Sequence, residues 1–359
     1  MLAQCPNFAP QATSGLHQAK DHCHEHRLQI LHLQSLHWRR LHLRLPDARS
    51  HAIHLQLRLP AGRALQLRNT LTAMANSPLP TCFLRGAGIT LLFALMFPAF
   101  AHADEVPVTR PGYKLQVQQQ GQGPVVVVFE SGFGQGAGVW KAVIADLGAE
   151  CRCIAYARTG LGTSGTDGTP NTIEKHLQDL GAVIDALAPN ERIVLVGHSY
   201  GGLLATEYAR RHPDRLKGLV LVDPATMGQR RDSEHADHDR VLADDKAMLA
   251  MLPPALAKDY QLLITELDSE AAVSPRAEPD VPVALLTSTL VAAEPFVFEE
   301  TAQGKALWKS EHADLFAGFS RGTHQYFATG HNIHRENPKA VADAVRNIVA
   351  APGPSVATR

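Results

Sequence analysis

The feature of this 359-residue sequence that most constrains its fold is a short glycine-flanked turn, Gly197-His198-Ser199-Tyr200-Gly201. The turn follows an apolar run at 192–196 that is typical of a buried strand, and it precedes a predicted helix at 203–211. Glycine at both ends permits a sharp reversal, and the helix N-terminus brings backbone N–H groups beside the serine oxygen. The pattern therefore predicts that Ser199 is an exposed nucleophile at the carboxyl end of a strand.

The rest of the chain from residue 104 onward alternates strand patterns with helix patterns. Such alternation predicts an α/β fold, with a mostly parallel sheet covered by helices on both faces. Residues 225–280 interrupt the alternation with an acidic, Met/Leu/Ala-rich stretch, which we interpret as a helical lid inserted over one edge of the sheet. The predicted strands are 114–119 (an edge strand), 125–130, 151–155, 192–196, 219–222, 281–286 and 325–328, and the predicted helices are 139–147, 173–187, 203–211 and 339–349.

A nucleophilic serine needs a base, and His331 is the best candidate. It follows the last predicted strand and Gly330, and it precedes the last helix, so its loop can carry an imidazole over Ser199. His324 and His334 are the rival histidines of this region.

The third member of such a site is a carboxylate at the end of a strand between Ser199 and His331 in sequence. Asp223 ends the strand at 219–222, and Glu294 follows the next strand, so both remain candidates, with Asp223 preferred on placement. The role of this acid is to hold the imidazole in one tautomer and to stabilise the imidazolium.

Two backbone N–H groups are needed to bind the oxyanion of an acyl-transfer intermediate. Tyr200, the residue after the nucleophile, is expected to supply one. The glycine-rich loop after the strand at 125–130 is expected to supply the other from Phe133, because Gly132 and Gly134 leave the backbone accessible.

The first 103 residues have a different character. Residues 1–73 hold nine of the 19 histidines and no valine, so we interpret them as a disordered or non-native upstream extension. Residues 74–103 have a polar start with one arginine, a 15-residue apolar run and a terminal Ala101-His102-Ala103, which is the layout of a secretory signal peptide. The prediction is a mature domain at 104–359 that carries the Ser199 site and is exported to the periplasm or the medium.

Charge and cysteine content exclude several classes of function. The chain carries 34 Lys+Arg against 35 Asp+Glu, a balance that argues against nucleic-acid binding. The apolar run is too short to span a bilayer, so no stable membrane insertion is expected after cleavage. Cys151 and Cys153 lie two apart on one strand, where a disulfide would be strained, so we expect free thiols. The oligomeric state is left open.

These residues resemble the α/β-hydrolase superfamily over most of 113–350. The resemblance rests on Gly132-Phe133-Gly134, the turn around Ser199, the Leu-Val-Leu-Val-Asp-Pro-Ala stretch at 219–225, and Gly330-His331. It implies an α/β-hydrolase fold with a helical lid and a serine hydrolase without cofactor or metal. The implied substrate is a small-molecule carboxylic ester cleaved through an acyl-enzyme. The alternatives are amidase, lactonase, perhydrolase or acyltransferase activity on the same site, or a non-catalytic binding protein of this fold.

The sequence departs from many members of that superfamily at three places. Ser131 precedes Gly132 where a histidine is common, and Ala157 precedes Arg158 where an aspartate is common. The strand at 281–286 is not followed closely by an aspartate, which is why the acid has two candidates. None of these changes removes the nucleophile or the base.

Overall fold

The computed structural model describes residues 104–269 and 277–351. The predicted upstream extension (1–73) and signal peptide (74–103) lie outside the described residues. Across the described ranges, no helix is both long and apolar enough to cross a membrane.

A twisted sheet forms the centre of the described structure. The strands, in chain order, are β1 (Asp104–Glu105), β2 (Val108–Arg110), β3 (Tyr113–Leu115), β4 (Val117–Gln120), β5 (Val125–Glu130), β6 (Cys151–Tyr156), β7 (Ile193–His198), β8 (Leu216–Val222), β9 (Val283–Ser288) and β10 (Gly322–Phe327). In the sheet they lie in the order β1-β4-β6-β5-β7-β8-β9-β10. The six strands from β5 to β10 pair in parallel, whereas β4 runs antiparallel to β6 and to β1. A separate hairpin joins β2 to β3.

Helices cover both faces of this sheet, as the alternation in sequence predicts. The helices are α1 (Lys141–Leu147), α2 (Ile173–Leu187), α3 (Tyr200–Arg211), α4 (Gln229–Met251), α5 (Pro254–Leu267), α6 (Ala302–Ala317), α7 (Ile333–Glu336) and α8 (Pro338–Ala350). In β5, Val126 and Val128 pack into the core beneath α2 and α3, while Val127 and Phe129 pack into the core beneath α1 and α8. This burial on both faces explains the continuous apolar run of β5.

The predicted fold class is confirmed, but one predicted element was wrong and one helix was not predicted. The edge strand at 114–119 is instead divided at Gln116, whose backbone N–H donates to the Ser164 hydroxyl (2.8 Å) rather than to a strand. Its second half, β4, lies between β1 and β6 and is not the edge. The helix α6 was not predicted at all.

Two helices, α4 and α5, occupy most of the segment interpreted as a lid (225–280). The segment is tied to the body of the domain at both helices. In α5, the Glu266 carboxylate accepts the Ile173 N–H at the start of α2 (3.0 Å), and in α4 the Asp244 carboxylate accepts the Phe298 N–H (2.6 Å). A break in α4 at Asp237 (φ −158°, ψ 83°) divides that helix into two parts.

Helix α6 packs against α4 and carries a partly buried carboxyl group, Glu311. Both carboxyl oxygens are buried and make no hydrogen bond within the described residues. Burial, with smaller contributions from the charges of Asp232, Glu299 and Asp314, raises the pKa of Glu311 to about 8. The folded protein therefore keeps this carboxyl protonated at neutral pH, whereas an unfolded chain releases the proton near pH 4.3.

We expect the E311Q variant to lose part of the pH dependence of folding. Because the folded state binds the proton more tightly, the wild-type free energy of unfolding should fall between about pH 5 and pH 8 by roughly 3–4 kcal/mol through this group. Urea unfolding of both proteins at the two pH values measures the difference. The control is the D239N variant, which removes an exposed carboxylate of α4 that is not among those neighbouring charges. Equal slopes in wild type and E311Q would contradict the assignment.

Candidate active site

Ser199 occupies a strained turn between β7 and α3. Its backbone has φ 53° and ψ −124°, a conformation that costs a residue other than glycine about 1–3 kcal/mol. Asp223 (φ 48°) is the one other non-glycine residue with positive φ among the described residues. At Gly201 a Cβ atom would lie 2.3 Å from the Glu130 carbonyl oxygen, so the turn has room for no side chain there.

Asp223, at the carboxyl end of β8, accepts four hydrogen bonds and is fully buried. Its Oδ2 accepts from His331 Nδ1 (2.7 Å) and from the Ser288 hydroxyl (2.8 Å), and its Oδ1 accepts from the Ser288 N–H (2.7 Å) and from Trp308 Nε1 (2.8 Å). Burial alone would raise the pKa of this carboxyl, but the bond and charge of His331 outweigh burial, so the pKa is lowered. Asp223 is therefore a stable carboxylate.

This carboxylate determines which nitrogen of His331 is free to act as a base. Because Nδ1 donates its proton to Asp223, the lone pair of the neutral ring is on Nε2. The ring lies edge-on to Trp308, with ring centres 5.8 Å apart, and beside His198, with ring centres 4.7 Å apart. His198 Nε2 donates a hydrogen bond to the His331 carbonyl oxygen (3.0 Å) and so helps to hold His331 in place.

Backbone contacts join the serine turn to the acid turn. The Ser199 N–H donates to the Val222 carbonyl (3.2 Å), and the Ala225 N–H donates to the Ser199 carbonyl (2.9 Å). No hydrogen bond joins the Ser199 hydroxyl to His331 in the part of the chain that the structure describes. The structure thus brings Asp223 and His331 into direct contact and holds Ser199 on the adjoining turn.

The rival candidates lie elsewhere. Glu294 is exposed on the loop after β9, and the carboxylate that bonds His331 is that of Asp223. His324, in β10, bonds the Thr287 hydroxyl (2.8 Å). His334 is fully buried against Trp140, and neither of its ring nitrogens has a hydrogen-bond partner within the described residues.

The residues of the two predicted oxyanion donors, Phe133 and Tyr200, lie side by side next to Ser199. Phe133 follows β5 and Tyr200 begins α3, and their rings meet at a centroid distance of 6.2 Å. Neither backbone N–H donates a hydrogen bond to any group in the described ranges, so both amides remain available to a developing oxyanion.

Arg158 clamps the loop that carries Phe133. The buried guanidinium donates to the carbonyls of Ser131 and Gly132 and pairs with the buried Glu130 carboxylate, which also accepts from Tyr156. These bonds give the loop carbonyls fixed partners and leave the amide of the next residue unengaged. The missing aspartate at position 157 therefore does not displace the arginine, because Glu130 serves as its counter-ion.

Ser131, the other departure from the common pattern, also supports this loop. Its hydroxyl accepts from Trp140 Nε1 (3.0 Å) and donates to the Gly136 carbonyl (3.3 Å). A serine can therefore stand where a histidine is common without leaving the loop unsupported.

A cavity of about 210 Å³ opens beside Ser199, between the sheet and the predicted lid. Its polar wall includes Arg230, but this guanidinium is already paired with Asp245 (2.8 Å), Glu234 (2.7 Å) and Asp268 (2.5 Å). Among the described residues, this wall thus offers no unpaired cation to an anionic ligand. The remaining surface is mainly apolar, from Phe133, Leu203, Val241, Leu263, Ile264 and Phe298.

Among the described residues, no group of three or more His, Cys, Asp or Glu side chains is arranged to hold a metal ion. Cys151 and Cys153 are buried free thiols, as the sequence predicted.

Comparison with known proteins decides the family. The sequence profile described as "Alpha/beta hydrolase family" matches residues 126–344, which include Ser199, Asp223 and His331. This chain belongs to the α/β-hydrolase family. An α/β-hydrolase fold also appears in a solved epoxide hydrolase from Vigna radiata, which is 17% identical with a TM-score of 0.53 and is matched over 69% of this chain and 98% of the enzyme.

Curated relatives of this α/β-hydrolase include enzymes that act on esters. It is 32% identical over 136 residues to a pimeloyl-[acyl-carrier protein] methyl ester esterase of Aeromonas hydrophila, which covers 38% of this chain and 52% of the esterase. An uncharacterized protein of Bacillus subtilis is 24% identical over 236 residues, or 65% of this chain and 87% of that protein. Several other relatives are matched over only about a third of their own length. These relatives support hydrolase activity in general.

Sequence reasoning missed the groups that hold the Asp223 carboxylate. Ser288 belongs to a run of three hydroxyl residues, Thr287-Ser288-Thr289, at the end of β9, and such a run next to the strand end that carries Asp223 is a usable signal. Trp308 lies on α6 at helical spacing from Lys305 and His312, and all three are buried. That spacing of polar-tipped residues was the available signal for the helix.

Proposed function

We propose that this α/β-hydrolase cleaves carboxylic esters of small acyl groups, with Ser199 as nucleophile, His331 as base and Asp223 as the acid that orients it. The observation that carries the proposal is the 2.7 Å bond from His331 Nδ1 to Asp223, made beside a serine held at positive φ. This is the arrangement that a serine nucleophile requires, because the base must be fixed in one tautomer.

The reaction would proceed in two acyl transfers. Ser199 Oγ attacks the ester carbonyl while its proton passes to His331 Nε2, and the amides of Phe133 and Tyr200 bind the oxyanion. Collapse of this intermediate breaks the bond to the alcohol, which leaves with the proton from His331. A water molecule then attacks the acyl-enzyme, giving its proton to His331, and a second collapse releases the carboxylic acid and returns the proton to Ser199.

Cavity size and charge support a small, uncharged acyl group. Pockets for drug-sized ligands are typically about 300–1,000 Å³, and the cavity beside Ser199 is about 210 Å³. Asp244, Asp245 and Glu299 lie in its wall, where they disfavour a substrate carboxylate. The signal-peptide prediction for 74–103 would place this activity in the periplasm or the medium, and we retain it as part of the proposal.

Covalent labelling tests the proposal directly. A fluorophosphonate probe should label the wild-type protein at one serine, because an activated serine attacks phosphorus while the two amides bind the oxyanion-like oxygen. The S199A variant is the matched control and should remain unlabelled. An unlabelled wild-type protein would reject the proposal and favour a non-catalytic member of the fold.

A further inference from the structure

Lys305, in the first turn of α6, is in an environment that is unfavourable for a cation. Only 5% of its surface is exposed, although lysine is almost never fully buried unless it is paired. The N-terminal end of a helix also carries a partial positive charge, which repels a cation. Its burial therefore requires a compensating group nearby.

The compensating group is reached through one hydroxyl. Lys305 Nζ donates to Ser288 Oγ (3.0 Å), and Ser288 Oγ donates to Asp223 Oδ2 (2.8 Å). That carboxylate oxygen is the one that accepts from His331 Nδ1. An ammonium group can only donate and a hydroxyl has a single proton, so Lys305 obliges the Ser288 proton to point at the acid.

We propose that Lys305 is a positioning residue for the catalytic acid, one that directs the Ser288 hydroxyl onto Asp223 and offsets part of the carboxylate's charge. The inference rests on the proposed function, because it concerns the same acid and base. It goes beyond that function because Lys305 touches neither Asp223 nor His331 by a hydrogen bond and acts on them through Ser288.

The electrostatic consequence has a definite sign. The carboxylate favours the protonated imidazole of His331, and a cation one hydroxyl away weakens that effect. Without Lys305 this offset is lost, so the acidic limb of the kcat/KM profile should move to higher pH. Four other titratable groups face Asp223 and His331, each from a different element. They are His198 on β7, Glu299 in the short turn Phe298–Glu300, His312 on α6 and His334 on α7.

These neighbours do not obscure the effect. Burial lowers the pKa of His312 to about 4 and of His334 to about 3, and it also lowers the pKa of His198, so none of the three imidazoles gains charge at neutral pH. Burial raises the pKa of Glu299, but this carboxyl is present in wild type and variant alike. A difference between the two profiles therefore reports Lys305.

The test compares K305M with K309M on p-nitrophenyl butyrate between about pH 5 and pH 9. Lys309 is exposed one turn further along α6, so its variant should keep the wild-type profile. K305M should lose roughly tenfold in kcat with KM within about twofold, and the acidic limb of its kcat/KM profile should move up by roughly half a pH unit or more.

A purely structural role would lower the melting temperature of K305M and leave the acidic limb in place, and that result would overturn the proposal. If K305M does not fold, S288A interrupts the same connection and should move the acidic limb in the same direction. An unmoved limb in folded S288A would equally overturn it. Failure of the proposed function is distinguishable, because the wild-type protein would then show neither esterase activity nor fluorophosphonate labelling.

Discussion

Replacing Ser199 by glycine should abolish ester hydrolysis and at the same time make the folded protein more stable. Glycine adopts positive φ at no steric cost, whereas Ser199 holds φ 53° at a cost of about 1–3 kcal/mol. Glycine loses roughly 0.5–1 kcal/mol more chain entropy on folding, so we expect a net gain of about 1 kcal/mol in the free energy of unfolding. The turnover number should fall by about 10⁶-fold, the scale seen when a catalytic serine is removed elsewhere.

The serine hydroxyl contributes little to the fold that glycine would lose. Ser199 is the N-cap residue of α3, but its side chain makes no capping hydrogen bond. The contacts that hold the turn come from its carbonyl oxygen, which accepts from Gly202 (2.8 Å), Leu203 (3.2 Å) and Ala225 (2.9 Å), and glycine keeps all three. The strained conformation is therefore imposed by the surroundings and not by the hydroxyl.

The S199A variant separates the two effects. Alanine has a Cβ atom and keeps the backbone strain, so it should lose activity as glycine does without gaining stability. Urea unfolding of the three proteins gives the comparison. If S199G is no more stable than S199A, then the positive φ at position 199 does not destabilise the folded protein, and the prediction is wrong.

Much of the fold was readable from sequence because burial on both faces leaves a simple pattern. The boundaries of β5 and α2 were predicted to the residue, the first from an unbroken β-branched run and the second from an amphipathic one. Helix α6 was missed because its inward face carries Lys305, Trp308 and His312 rather than aliphatic residues. Its buried groups serve the acid through hydrogen bonds, and a search for hydrophobic periodicity does not register them.

The candidate site likewise combines residues that the sequence indicates with contacts that only the structure shows. A local motif singles out Ser199 as a candidate, and the order of residues along the chain points to His331. That His331 contacts Asp223 and not Glu294 could be seen only in the tertiary structure. The hydrogen-bond partners of the acid come from the end of β9 and from α6, 65 and 85 residues away.

The D223N variant should lose about 10⁴-fold in kcat while keeping its fold. Asparagine tolerates positive φ, so the backbone at φ 48° is preserved. The effect should arise from the amide group that replaces one carboxylate oxygen. If the amide N–H₂ faces His331 Nδ1, it donates there, and the ring must carry its proton on Nε2, where the base is needed.

The loss should appear in kcat rather than in KM, because Asp223 is not part of the cavity wall that binds the acyl group. The matched control is E294Q, which changes the other acidic candidate in the same way and should stay within about twofold of wild type. Near-normal turnover of D223N would show that another group orients the base. Nitrogen NMR of His331 gives an independent reading, since the proton should move from Nδ1 to Nε2 in D223N. Because the oxyanion amides of Phe133 and Tyr200 are untouched, D223N should still exceed the uncatalysed rate, and this residual activity measures what those amides contribute without a correctly oriented base.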